Sequence, residues 1–148
     1  IKDGNDVATP RDLLSVFERA RTTQIEKAEK GSPLPPGTHL FDPDTIRLAV
    51  KQVAKENLKT RIFAEYPDLR SPILRFSGGK ADHNSETLAQ ALGDCYSDDL
   101  LQRLKSIGFM YQRERKGHKV WTVPFFYSFA LDMKRGFAFD PEEFEDED

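Results

Sequence analysis

One stretch of this sequence, "GFMYQRERKGHKVWTV" at residues 108–123, has the pattern of two β-strands joined by a tight turn. Apolar and polar residues alternate from Phe109 to Arg113 and again from Lys119 to Val123. Gly117 lies between the two runs and can adopt the positive φ that such a turn requires. Two strands alone are only marginally stable, so the hairpin must pack on other elements. We expect five side chains near its tip to be exposed to solvent, namely Arg113, Arg115, Lys116, His118 and Lys119.

Two long amphipathic helices are predicted ahead of the hairpin. The first begins with Thr9 as its N-cap and Pro10 in its first position, and it ends at Gly31. Asp42 and Pro43 repeat the same start signal for the second helix. The connector between the two is rich in proline and glycine, which excludes a helix or a central strand there.

The spacing of apolar residues predicts which faces of these helices are buried. In the first helix the expected stripe comprises Leu13, Leu14, Phe17, Ala20 and Ala28, with Ile25 near its edge. In the second helix it comprises Ile46, Val50, Val53, Ala54 and Ile62. Across the whole chain we expect six apolar side chains to be enclosed: Phe17, Ile46, Leu74, Leu88, Leu104 and Val123.

The sequence after the second long helix changes to short elements. A helix in residues 67–76 is interrupted by a proline, another is capped near Asn84 or Ser85, and a third begins after Ser97 and ends before Gly108. Three short helices followed by a β-ribbon are the order of a winged helix-turn-helix domain, in which the ribbon is the wing. The phenylalanine-rich residues that follow the ribbon are expected to form a further helix on the core.

These elements predict a mainly α fold in three parts. A helical segment occupies residues 1–65, a winged-helix domain with a two-stranded β-wing occupies residues 66–136, and an acidic tail occupies residues 137–148. The glycine-rich residues 77–82 resemble a phosphate loop only superficially, because their spacing is wrong, and we expect a turn there.

The formal net charge of -3 conceals an uneven distribution. Residues 140–148, "DPEEFEDED", hold seven acids, which leaves 18 acids and 22 bases in the rest of the chain. The basic excess is concentrated around the hairpin. The tail is expected to be a solvated extension, or else to compete intramolecularly for the basic hairpin.

Cysteine use and hydropathy indicate the compartment. The single cysteine, Cys95, excludes an internal disulfide and suits a reducing environment. No apolar run approaches the roughly 20 residues of a membrane span. We therefore expect a cytoplasmic protein without a membrane partner.

The sequence offers no catalytic centre and no cofactor site of its own. His39, His83, His118 and Cys95 are not at metal-ligand spacing, and no Ser-His-Asp or Cys-His arrangement can be read. Asp98 and Asp99 are adjacent carboxylates, but helix capping accounts for them. We expect the chain to be non-enzymatic and, since it begins at Ile1, to be a fragment of something longer.

Three segments carry a resemblance to a known family. "TPRDLLSVFERA", the second Asp-Pro helix and "FAEYPDLRSPILRFSGG" resemble the C-terminal region that follows the nucleotide-binding core in bacterial P-loop ATPases of the AAA+/STAND type. The likeness spans roughly residues 5–123. It implies a lid-like role for residues 1–65, a winged helix after it, and an upstream ATPase core, as the partner in the same protein, that would bind ATP and Mg²⁺.

The same resemblance implies a role for Arg11, which occupies the position of the sensor II arginine that approaches the γ-phosphate. A guanidinium in the first turn of a helix is chemically suited to that task, because the helix dipole also favours an anion there. A solvent-facing or salt-bridging arginine is the alternative. The sequence departs from the family pattern at Thr9, where an arginine is common.

Two hypotheses for the winged helix remain open, binding to nucleic acid and packing against protein. For the first, Tyr111 and Trp121 could stack on bases if they are exposed, although Trp121 is better interpreted as core. Against it, Asp98 and Asp99 lie where a recognition helix would meet the groove. The predicted nucleic-acid-binding residues are Arg103, Lys105, Arg113, Arg115, Lys116, His118 and Lys119.

The expected function is thus that of a non-catalytic region that couples the nucleotide state of an ATPase to a winged helix contacting protein or nucleic acid. The alternative is a stand-alone winged-helix protein that binds DNA as a regulator.

Overall fold

A computed structural model of the chain describes residues 2–5 and 9–141. Its helices are α1 (Pro10–Glu29), α2 (Pro43–Asn57), α3 (Phe63–Glu65), α4 (Arg70–Leu74), α5 (Ser85–Leu92), α6 (Asp98–Ser106) and α7 (Phe125–Ala130). Its strands are β1 (Lys80–His83), β2 (Tyr111–Arg115), β3 (His118–Thr122) and β4 (Lys134–Phe137). Helix predominates, which confirms the mainly α content. Residues 142–148, most of the predicted acidic tail, lie outside the described residues.

Helices α1 and α2 pack against each other, and one buried glutamine on α1 is hydrogen-bonded to the start of α2. Gln24 is 8% exposed; its Nε2 donates to Asp42 Oδ2 at 3.2 Å, and its Oε1 accepts from the Asp42 backbone N–H at 3.0 Å. Lys27 Nζ donates to Thr45 Oγ1 at 2.9 Å. The predicted start of α2 at Asp42 and Pro43 is confirmed, and its first turn is anchored to the C-terminal part of α1.

The buried face of α1 differs from the prediction. Its buried residues are Val16, Ala20 and Gln24, so of the predicted stripe only Ala20 is enclosed. The physical reason is the pair of hydrogen bonds between Gln24 and Asp42. These bonds orient α1 so that the side of the helix that carries Ala20 faces α2. The larger apolar side chains consequently lie in solvent at 44–63% exposure, and these are Leu13, Leu14, Phe17 and Ile25.

Helix α2 continues into a π-helical turn, Leu58–Ile62, before it ends in α3. The predicted apolar face is largely confirmed, because Val53, Ala54 and Ile62 are buried and Ile46 is half-buried against the core. A π-helical turn of this kind is rare and is often found at functional sites.

The four strands form one mixed sheet in the order β2-β3-β1-β4. β2 and β3 pair in antiparallel register with Arg113 opposite Val120, as the alternation predicts. β1 pairs antiparallel with β3 and parallel with β4, so that Asp82 lies opposite both Thr122 and Phe137. The sheet is therefore twice the predicted size.

One local prediction was wrong in this part of the chain, and one strand, β4, was not predicted. Lys80–His83 form β1, where a turn was predicted. The helix after the hairpin ends at Ala130, and Asp132, at φ 55°, turns the chain into β4. Each strand has only four residues, which is too short for period-2 alternation to be distinguished from a loop.

A single hydrophobic cluster joins the helical pair to the later elements. It extends from Val16 on α1 to Leu131 after α7, and α2 packs directly on α7. Leu88, Leu104 and Val123 are enclosed as predicted. Phe17 and Leu74 are 49% and 44% exposed, so their predicted burial was wrong. None of the helices within residues 2–5 and 9–141 is long and apolar enough to cross a membrane.

Candidate functional site

The tip of the β2–β3 hairpin is a two-residue turn. Lys116 and Gly117 both have positive φ, 49° and 77°, which is the conformation whose twist matches that of paired strands. Arg115 lies opposite His118 across the register. The structure thus brings the five predicted hairpin residues together, and all but the half-buried His118 are exposed: Arg113, Arg115, Lys116 and Lys119.

Arg113 is engaged within the fold by an ion pair. Arg113 Nη2 lies 2.9 Å from Asp82 Oδ1, and the same oxygen accepts a hydrogen bond from Thr122 Oγ1 at 2.6 Å. The Asp82 side chain is 12% exposed. Arg113 therefore neutralises a largely buried carboxylate on β1, which makes it less available for a ligand.

The end of β4 lies under the hairpin arginines. The Phe137 ring centroid is 4.6 Å from the Arg115 guanidinium carbon and 5.9 Å from that of Arg113. Both distances are within the range of cation–π contacts. Sequence reasoning missed this contact, because Phe137 was assigned to the start of the tail.

Strands β1 and β4 add basic residues that the sequence analysis did not assign to the site. Lys80 and Lys134 are register partners, and both are exposed. Arg135 is also exposed and lies 4.8 Å from the ring centroid of Phe125. The sheet therefore carries cations on all four strands.

Helix α6 is less suited to nucleic acid than the hairpin is. Ser97 caps it by accepting from the Leu100 N–H at 3.1 Å, which leaves Asp98 and Asp99 exposed in its first turn. Arg103 forms an ion pair with Asp68 at 2.7 Å. Of the two predicted binding residues on α6, Arg103 is thus engaged elsewhere, and Lys105 is half-buried.

Neither of the two aromatic side chains that were considered for stacking on bases is fully exposed. Trp121 is 5% exposed and belongs to the core cluster, which confirms its interpretation as a core residue. Tyr111 is half-buried. Stacking of bases on Trp121 is excluded by this burial.

Arg11 lines a second candidate site, a groove between α1 and the π-helical end of α2. The groove has a volume of about 1170 Å³. Arg11 is exposed and has no ion-pair partner among residues 2–5 and 9–141, whereas Arg19 is paired with Glu56 across the groove. Arg61 on the π-helical turn lines the opposite wall.

The floor of this groove is polar. Asn57 Nδ2 donates to Asp12 Oδ1 at 3.4 Å, while the buried Asn57 Oδ1 accepts no hydrogen bond from the described residues. A cavity of about 10 Å³ lies beside it, lined by Arg61 and Tyr127 among others, and this is about the volume one water molecule needs. Burial raises the pKa of Tyr127 to about 12, so its hydroxyl remains protonated at neutral pH.

The buried histidine has a structural environment. His83 Nε2 lies 2.8 Å from the Lys80 carbonyl oxygen, its Nδ1 lies 3.3 Å from Thr87 Oγ1, and its ring packs edge-on against Phe76. Burial lowers the pKa of His83. Among residues 2–5 and 9–141, no group of three or more His, Cys, Asp or Glu side chains could hold a metal ion.

Comparisons of the chain with protein-family models, with curated proteins and with solved structures find no match. The resemblance to P-loop ATPases therefore depends on its short motifs alone.

Proposed function

We propose that this chain is a non-catalytic region of a P-loop ATPase, in which a lid-like helical pair is joined to a winged-helix module that contacts nucleic acid through its hairpin. The observation that carries the winged-helix part is the order α4-β1-α5-α6-β2-β3 with β1 paired to β3. In the proposed winged helix, α5 and α6 are the helix-turn-helix and β2–β3 is the wing.

The hairpin charges support contact with phosphates rather than with base edges. Arg115, Lys116 and Lys119 are exposed around the turn, and a phosphate backbone is bound by such cations without sequence preference. Asp98 and Asp99 on α6 would repel phosphates near the groove. The proposed binding is therefore weak, non-specific and salt dependent.

The ATPase part of the proposal is supported by Arg11 and by the shared core. Arg11 is exposed and unpaired in the part of the chain that the structure describes, as an arginine that contacts a ligand from another domain would be. Because α2 packs on α7, a movement of the helical pair would be transmitted to the winged-helix module through side chains that are in direct contact.

The test is a titration of labelled duplex and single-stranded DNA with the purified chain at several salt concentrations. We expect the triple variant R115A/K116A/K119A to bind more weakly. The slope of log K against log salt concentration should decrease in magnitude by about one for each phosphate that is no longer neutralised. Arg113 is left unchanged, because it neutralises Asp82. The control K30A/R47A/K59A removes three exposed charges from the helical pair and should leave binding unchanged. If the unmodified chain does not bind at low salt, the hairpin is a protein-packing element.

A further inference from the structure

Helix α1 exposes four large apolar side chains. Leu14 is 63% exposed, Leu13 50%, Phe17 49% and Ile25 44%. These residues belong to a helix whose opposite side already packs on α2.

The exposed residues on one line of α1 follow a heptad. Leu14, Glu18, Arg21, Ile25 and Ala28 are separated by steps of 4, 3, 4 and 3, which is the spacing of the a and d positions in a coiled coil. All five side chains are exposed. Glu18 and Arg21 have no ion-pair partner within residues 2–5 and 9–141, so both charges are available.

The part of this line from Leu14 to Ile25 is complementary to itself when it is reversed. In an antiparallel pair of α1 helices, Leu14 of each chain lies opposite Ile25 of the other, and Glu18 lies opposite Arg21. A two-fold axis then relates the two chains, so each of these contacts occurs twice, as in any isologous interface. In a parallel pair Glu18 would face Glu18 and Arg21 would face Arg21, which repels.

We infer that this face of α1 is the surface on which a second copy of the chain docks, in antiparallel orientation. The two central ion-pair layers set the register, and the flanking apolar layers supply the burial. A helix of 20 residues is about 30 Å long, so the interface is smaller than the roughly 800 Å² per partner of a stable complex. We therefore expect a weak, concentration-dependent dimer. The inference does not depend on nucleic-acid binding.

Sedimentation equilibrium on the 148-residue chain over a wide concentration range tests it. We expect the unmodified chain to dimerise, and the single variants E18R and R21E each to raise the dimer dissociation constant about tenfold, because both ion-pair layers become like-charged. The double variant E18R/R21E restores opposite charges in both layers and should recover the dimer. The control E26R reverses a charge on another face of α1 and should have no effect.

The substituted residues are exposed, so circular-dichroism melts should show the fold unchanged in all four variants. The inference is overturned if the unmodified chain remains monomeric up to about 1 mM, above which even a −4 kcal/mol association would be populated. It is equally overturned if E18R and R21E dimerise as well as the unmodified chain, or if the double variant does not recover the dimer that the single variants weaken.

Discussion

Arg113 on β2 reaches across β3 to Asp82 on β1, with 2.9 Å between Nη2 and Oδ1. The contact ties the hairpin to β1, the strand that precedes α5. The Asp82 side chain is largely buried, so Arg113 is needed to balance its charge even when no ligand is bound.

The first prediction is that R113A destabilises the fold by about 1–3 kcal/mol, because it leaves the Asp82 carboxylate with only the Thr122 hydroxyl as a partner. Urea unfolding followed by circular dichroism measures the change. R115A is the matched control, since Arg115 is exposed and contacts the Phe137 ring but no buried carboxylate among residues 2–5 and 9–141. Equal stability of R113A and the unmodified chain would mean that the ion pair contributes nothing.

The second prediction concerns the anchor between α1 and α2. Gln24 makes two hydrogen bonds to Asp42, and Q24A removes both while it opens a small void, so we expect a decrease in stability of about 1–3 kcal/mol. The variant T22A, which removes a hydroxyl bonded only within α1, should be close to neutral. Thermal melts of both proteins provide the comparison.

The third prediction contrasts two apolar truncations. L104A should cost about 2–5 kcal/mol, because Leu104 is fully enclosed. F17A should cost much less, because Phe17 is 49% exposed and touches Phe41 at a centroid distance of 6.3 Å. Chemical denaturation of the two variants measures both effects. A large destabilisation in F17A would indicate that the solvent-facing side of α1 is covered in solution.

The fourth prediction is a pH dependence that originates at His83. Burial lowers its pKa in the folded state below the ordinary value of 6.5, so the unfolded chain binds the proton more readily. The free energy of unfolding should therefore be at its full value above pH 6.5 and fall as the pH decreases through the depressed folded pKa. H83Q should flatten this dependence in urea titrations at several pH values, while H39Q, at an exposed histidine, should retain it.

The fifth prediction concerns the acidic tail and assumes the proposed binding of nucleic acid. Phe137 lies under Arg115, so the chain leaves β4 beside the hairpin, and residues 142–148 hold six acids. Removing them should strengthen DNA binding at low salt, and the difference should disappear as salt screens the charges. Unchanged affinity at low salt would show that the tail does not compete for the hairpin.

Much of the local structure could be predicted because its signals are local. Thr9, Asn84 and Ser97 cap α1, α5 and α6 with the expected side-chain bonds, and Gly117 marks the hairpin turn. A cap or a tight turn depends on residues within three or four positions. Such features can be read without knowledge of the rest of the fold.

The features that were missed depend on contacts between distant residues. Gln24 docks α1 through Asp42, and a polar residue is not counted when an apolar stripe is drawn. Asp132 turns the chain into β4 with a positive φ, which is uncommon for any residue other than glycine and cannot be expected of an individual aspartate.

The same limit applied to the candidate site. The hairpin cations were found because they are adjacent in sequence. The engagement of Arg103 by Asp68, and the contact of Arg115 with Phe137, join residues more than 20 positions apart.

The strand order has a consequence for solubility. With β2 and β4 at its margins, the sheet presents two strands whose outer backbone groups could pair with the sheet of another molecule. Charged side chains on such margins oppose this pairing, and here Arg113 and Arg115 lie on one margin and Lys134 and Arg135 on the other. Arg115, which we propose for phosphate contact, therefore also helps to keep the sheets of neighbouring molecules apart, and neutralising the four margin cations would favour aggregation.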